Sequence, residues 1–136
     1  MNHVVIKAYE TYHEPEILLL YKSVGWSAYY TKPEILRQAF EGSLCVYGAY
    51  LGERLVGLIR VVGDGQTIIF IQDVLVHPDY QRQGIGTMLI GQIKARYHRV
   101  RQMHLLTDDT PRTVGFYKSA GFIPVEDAQC RAFTKR

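Results

Sequence analysis

The 136-residue sequence has no apolar run approaching the roughly 18 residues that a membrane-crossing helix needs, so no span is expected. Cysteine is scarce: only Cys45 and Cys130 are present, both in strand-like surroundings. The first residues, MNHVVIKAYE, lack the basic start and long apolar stretch of an export signal. The two thiols are therefore read as reduced core residues and the protein as cytoplasmic. A large excess of charge is missing too, the net charge being +3. The stretch KARYHRVRQMH carries Lys94, Arg96, Arg99 and Arg101, which reads as the solvated, cation-favouring end of a helix. It falls short of the basic face of a dedicated nucleic-acid binder, so no such partner is expected. Repeats, linkers and low-complexity segments are absent, and an apolar share of 47% excludes a disordered chain.

What remains is a sequence of well-punctuated elements. Residues 3–9 alternate as a first strand, and residues 15–26 have helical spacing that stops near Gly25. In TKPEILRQAFEGS, Thr31 and Glu34 stand at capping-box spacing, and the helix ends at Gly42. Three strand-like runs, 44–51, 54–62 and 67–76, are joined by glycine-rich turns as in an antiparallel meander. Ile85, Leu89, Ile93 and Tyr97, with Met88 beside them, mark an amphipathic helix. A short strand follows at 103–107. The next helix has Thr110 as N-cap, Pro111 at its first position and Gly121 at its stop. The tail 122–136 alternates loosely and is expected to add one or two strands. The order β-α-α-β-β-β-α-β-α-β predicts one α/β (α+β) domain over residues 1–136. It holds a mixed, mostly antiparallel sheet of six to seven strands with about four helices.

The informative stretch is VLVHPDYQRQGIGTMLI, residues 74–90, where a strand feeds a helix through a basic glycine turn. The first N–H groups of a helix lack internal partners, and the helix dipole adds partial positive charge there. Gly84 and Gly86 allow close approach of a diphosphate, and Arg82 adds a full charge. The G-x-x-x-x-G-K-[ST] pattern of a P-loop is missing. Leu89 stands where the dinucleotide fingerprint would have its third glycine. Geometry alone leaves a diphosphate site and a plain tight turn both open.

HPDYQRQGIGTMLI resembles the acetyl-CoA signature of the GNAT superfamily of N-acetyltransferases, Q/R-x-x-G-x-G/A after a strand ending V-x-P, through Gln81, Gly84, Gly86 and the preceding VHP. TPRTVGFYKSAGF is similar to the family's later helix, with its tyrosine and closing Gly-Phe. The resemblance covers almost the whole chain. It implies direct acetyl transfer from acetyl-CoA to a primary amine, with no metal. Backbone of Val74, Leu75 and Val76 would pair with pantetheine and polarise the acetyl carbonyl. Backbone of Arg82, Gln83, Gly84, Ile85, Gly86 and Thr87 would hold the pyrophosphate. Tyr117 would be the general acid, its reference pKa of about 10 keeping it protonated at neutral pH. Thr110 stands where an asparagine often contacts the cofactor.

No general base is legible. Gln72 occupies the place where relatives often carry a glutamate, and alternation points Asp73 to the other face as a structural carboxylate binding nearby backbone. On the following strand the corresponding place is Leu105, while His104, Asp108 and Asp109 read as turn or surface residues. Trp26, Tyr29 and Tyr30 are read as core or dimer contact, with a cradle for a small aromatic amine as the other possibility. The acceptor is a small-molecule or peptide amine of unspecified identity, and the protein a monomer or homodimer. Two alternatives stand beside this reading: a CoA-binding sensor module with little catalysis, and an acetyltransferase of charged tRNA.

Overall fold

In the computed structural model, which describes residues 3–136, the alternating runs form a single sheet of five strands. These are β1 Val4–Ala8, β2 Cys45–Leu51, β3 Arg54–Gly63, β4 Ile68–Val76 and β5 Gln102–Leu105, in that spatial order. The first four pair antiparallel, and β5 lies parallel to β4. Three helices, α1 Glu14–Ser23, α2 Ser27–Tyr30 and α3 Pro33–Glu41, connect β1 to β2. Helix α4, Ile85–Arg96, connects β4 to β5, and α5, Pro111–Ser119, follows. The chain clusters into two compact units, Met1–Leu106 with the sheet and α1–α4, and Thr107–Arg136 with α5.

The mixed, mostly antiparallel α/β class is the expected one, but three details differ. The strands described number five rather than six or seven, because the tail forms a 3-10 turn, Val125–Ala128, instead of strands. Pro124 has no N–H for a ladder, and Gln129 turns left-handed at φ 60°. The described residues form five helices rather than about four. Gly25, at φ 75°, stops α1, and the chain at once makes the one-turn α2. Thr31 is then used up: its hydroxyl donates to the Ser27 carbonyl, so no capping box forms with Glu34, which pairs with Arg37 instead.

Helices α1–α3 cover one face of the sheet, where Ile17, Leu20, Tyr21, Leu36 and Phe40 pack with Val46, Leu55, Leu58 and Leu75. Helix α4 covers the other face through Ile85, Leu89, Ile90 and Ile93. The drift of a 3.6-residue turn carries this stripe towards Ile90, leaving Met88 40% exposed. Gly57 permits the close approach of α4, since a Cβ there would lie 3.2 Å from both Ile85 Cγ2 and the Leu75 carbonyl. Both cysteines are free thiols. Cys45 is half-buried, but Cys130 is exposed and outside any strand, so only one of the pair contributes to packing.

A register shift in β4 decides how its side chains are dealt out. Arg60 pairs with Asp73 but Val61 pairs with Ile71, leaving Gln72 as an extra residue. Ile71 thus faces α4 with Val61, whereas Asp73 turns with Arg60 towards α1–α3. The Asp73 carboxylate accepts from Arg60 Nε at 2.7 Å and from the Tyr21 hydroxyl at 2.8 Å. Arg60 also reaches Ser43 Oγ at 3.2 Å and lies over the Phe40 ring. Asp73 is therefore structural, as expected, but its partners are buried side chains rather than nearby backbone.

Arg60 and Asp73 are only 5% and 2% exposed, so neither charge has water to fall back on. Replacing Asp73 by alanine leaves a buried guanidinium uncompensated and should cost about 3–5 kcal/mol in urea denaturation. Burial, then the neighbouring Asp73 charge, push the Tyr21 phenol well above its ordinary value. The folded state thus favours the neutral phenol, and its contribution is complete below pH about 10 and lost as pH rises further. Melting temperature should fall above pH about 10, and less steeply in Tyr21→Phe than in the wild type.

Candidate functional site

Strand β4 is nine residues long and β5 only four. The parallel register runs from Ile68 with Gln102 to Ile71 with Leu105 and stops there. From Asp73 to Val76, β4 still pairs with β3 on its other side. Along this second half the N–H and C=O of every other residue thus point away from β3, with no strand among the described residues to meet them. Val74, Leu75 and Val76 lie on this stretch.

The strand then enters a built turn. The His77 N–H donates to the Val56 carbonyl at 2.8 Å, and His77 Nδ1 accepts from the Asp79 N–H at 3.1 Å. Pro78–Tyr80 form a 3-10 turn, and Arg54 reaches across to the Tyr80 hydroxyl at 3.2 Å. Gln81 folds back so that its Nε2 donates to the Val76 carbonyl at 3.0 Å, tying the loop to the end of β4. Arg82 and Gly84 are both left-handed, at φ 65° and 81°. Gly84 is the N-cap of α4, with no side-chain cap and no acidic residue in the first turn. The first helical bond is Met88 N–H to the Gly84 carbonyl, so the N–H groups of Ile85, Gly86 and Thr87 precede it without helical acceptors. Arg82, Gln83, Gly84 and Thr87 are exposed around them. A one-sided strand end is thus joined through the turn at residues 77–84 to an uncapped helix start, whose free N–H groups suit an anion.

In the second unit, Thr110 caps α5 by accepting from the Thr113 N–H at 3.2 Å, with Pro111 next to it as expected. The helix closes with two paired bonds: Phe122 N–H to the Tyr117 carbonyl at 3.0 Å, and Gly121 N–H to the Lys118 carbonyl at 3.1 Å. Gly121 is left-handed at φ 95°, and the Phe122 ring lies 6.2 Å from that of Tyr117. Burial alone pushes the Tyr117 phenol up, which keeps it a proton donor at neutral pH.

The residues considered for the base are placed differently from the expectation. Gln72 and Asp73 do not face opposite ways. Gln72 Nε2 donates to the Tyr29 hydroxyl at 3.3 Å while Asp73 accepts from Tyr21, and the rings of Tyr21 and Tyr29 are 5.5 Å apart edge to face. The extra residue in β4 brings both into one layer. Trp26, Tyr29 and Tyr30 are half-buried against the α1–α3 core, Trp26 standing 5.9 Å from Tyr21. Among the basic residues 94–101, Arg96 is turned onto Tyr47, whose hydroxyl it meets at 2.9 Å, rather than simply solvated. The tether from Gln81 and the Gln72–Tyr29 bond lie outside what the sequence pattern implies. The first has a sequence signal in the signature glutamine, and the second has none.

The model of the GNAT acetyltransferase domain family matches residues 11–135. The chain belongs to the GNAT family. Within it, a GNAT family acetyltransferase from Streptococcus pneumoniae is 39% identical, with a TM-score of 0.89 over 98% of both chains. A ycf52 N-acetyltransferase from Gracilaria tenuistipitata var. liui is 32% identical over 92% of this chain and 69% of its own. A ycf52 N-acetyltransferase from Pyropia yezoensis is 34% identical over 54% of this chain, but the match spans only 42% of that relative's length. The GNAT signature residues Gln81, Gly84 and Gly86 fall in the turn after β4, at the N-cap of α4 and in the first turn of that helix. No helix among the described residues is long and apolar enough to cross a membrane.

Gly84 has free space where a Cβ would be, so the cost of a side chain there comes from its left-handed backbone alone. Gly84→Ala should lower stability by about 1–2 kcal/mol in urea denaturation.

Proposed function

We propose that this protein transfers an acetyl group directly from acetyl-CoA to the primary amine of an acceptor, with residues 1–136 acting as one functional domain. The observation that carries this reading is that β4 runs on past its last β5 pair at Ile71 and leads, through the turn at residues 77–84, into the uncapped start of α4. An aminoglycoside N-acetyltransferase solved in complex with CoA shares the fold, with a TM-score of 0.76 at 16% identity.

In this reading the donor supplies an activated thioester when bound. On the stretch Val74, Leu75 and Val76, the N–H and C=O groups turned away from β3 take the place of a missing neighbour strand, bind the pantetheine arm and offer an N–H to the acetyl oxygen. The backbone of Arg82, Gln83, Gly84, Ile85, Gly86 and Thr87 holds the pyrophosphate, with the Arg82 charge beside it. Gln81 keeps the two parts in register through its bond to the Val76 carbonyl. The family pattern assigns Tyr117 the protonation of the departing sulfur. Thr110, whose hydroxyl accepts from the Thr113 N–H and meets the Thr113 hydroxyl at 3.0 Å, stands at the start of α5 where the family pattern places a contact with the pantetheine arm.

A CoA-responsive binding module is the second reading, favoured by the amide of Gln72 standing where a base would help. Thermal shift should show stabilisation by acetyl-CoA and CoA and none by NAD; a response to NAD alone would sink the donor assignment. Thiol release with a panel of amines separates transferase from sensor. Tyr117→Phe should lower turnover about a hundredfold or more while leaving the acetyl-CoA thermal shift nearly unchanged. Weaker binding with unaltered turnover would rule out the acid role.

A further inference from the structure

The point where β4 leaves β5 is where an acetyl group would be presented, if the transferase reading holds. A donor anchored at Arg82–Thr87 and extended back along Val76 to Val74 brings its far end towards Gln72, the first residue of β4 beyond the last β5 pair. Gln72 is exposed, and its Nε2 is engaged with the Tyr29 hydroxyl at 3.3 Å. That bond leaves the amide oxygen of Gln72 as an acceptor. An amide oxygen can hold an N–H but cannot remove its proton at neutral pH.

The adjoining carboxylate offers no substitute. Asp73 reaches the same helical layer, but its Oδ2 is taken by Arg60 and Tyr21 and the residue is 2% exposed. The titratable groups that bear on Gln72 are Tyr29 from α2, Tyr21 behind it from α1, Asp73 beside it and His104 from β5. His104 pairs in register with Phe70, two residues before Gln72, and is half-buried.

We propose that Gln72 and Tyr29 seat an acceptor amine that arrives already neutral, so that the enzyme selects weakly basic amines, above all α-amino groups, over alkylamines. This rests on the transferase reading and names its substrate class. The proton balance is what makes the selection. When a neutral amine attacks, the N–C bond forms, the C–S bond breaks, the nitrogen gives up one proton and the sulfur takes one. Nothing is left over. An ammonium ion brings one more proton, which needs a base before the lone pair is free. At pH 7 an α-amine of pKa about 8 is roughly one-tenth neutral, and a lysine-type amine of pKa about 10.4 is neutral in roughly one molecule in 2,500. The same seat therefore sees some 250-fold less reactive alkylamine.

The test uses lysinamide, which carries both kinds of amine, and the pair phenylalaninamide and 2-phenylethylamine, which share one aromatic body. Acetyl transfer is read by thiol release and mass spectrometry from pH 6.5 to 10. At pH 7 the α-acetyl product should exceed the ε-acetyl product by more than tenfold, and phenylalaninamide should outpace 2-phenylethylamine by a similar factor. Both ratios should shrink as pH rises, the alkylamine rate climbing about tenfold per pH unit. Gln72→Glu should raise 2-phenylethylamine transfer at pH 7 at least tenfold and flatten its pH profile, with the acetyl-CoA thermal shift kept.

Equal rates for the two amine types at pH 7 overturn the proposal. So does an alkylamine rate that levels off near pH 7 and loses that plateau in His104→Asn, which would make the imidazole the base. Thiol release from none of these amines, with the acetyl-CoA thermal shift intact, overturns the transferase reading along with it; loss of that shift overturns the donor assignment instead.

Discussion

Asp73 is held at the centre of the larger unit by Arg60 and Tyr21, and the placement of β4 against its neighbours follows from that contact. A carboxylate and a guanidinium removed from water stay in place only if each finds the other with good geometry and the spare hydrogen-bonding groups are also met. Here the spare groups are met by Tyr21 from α1 and by Ser43, just beyond α3. One ion pair thus joins two strands to the helical layer. Removing either partner would free both β4 and the helices from a common register.

That contact also explains the extra residue at Gln72. For Asp73 to turn towards Arg60, the alternation of β4 must slip by one between Ile71 and Asp73. Ile69 and Ile71 can then serve the α4 face while Asp73 and Leu75 serve the other. The slip increases local twist. It coincides with the last β5 pair, so the strand changes course where its neighbour stops. A buried electrostatic contact and an open strand end are thereby parts of one arrangement.

Much of this was legible in the sequence because it is local. The turn at residues 77–87 combines a proline, a left-handed glycine and an immediate helical period, and each acts within a few residues. The α5 caps are equally local: Thr110, Pro111 and Gly121 all act as read. What was not legible depends on partners far along the chain. Tyr21 lies 52 positions from Asp73, and no spacing rule links them. The slip at Gln72 carries no glycine or proline to mark it, so simple alternation placed Gln72 and Asp73 on opposite faces. Thr31 and Glu34 have capping-box spacing, but an unforeseen turn of helix claimed Thr31 first. The tail alternates weakly, and Pro124 with a left-handed Gln129 defeats a strand there.

The half-paired strand leaves a mark that does not depend on chemistry. Backbone amides of β2, β3 and the first half of β4 are locked in ladders on both sides, and their hydrogens exchange with solvent only on large openings. Beyond Ile71, adjacent amides of β4 belong to two populations: those turned to β3, locked, and those turned the other way. Exchange along these few residues would alternate between slow and fast. An extended ligand lying against β4 would slow only the fast set, so a single strand would report occupancy by the loss of its own alternation.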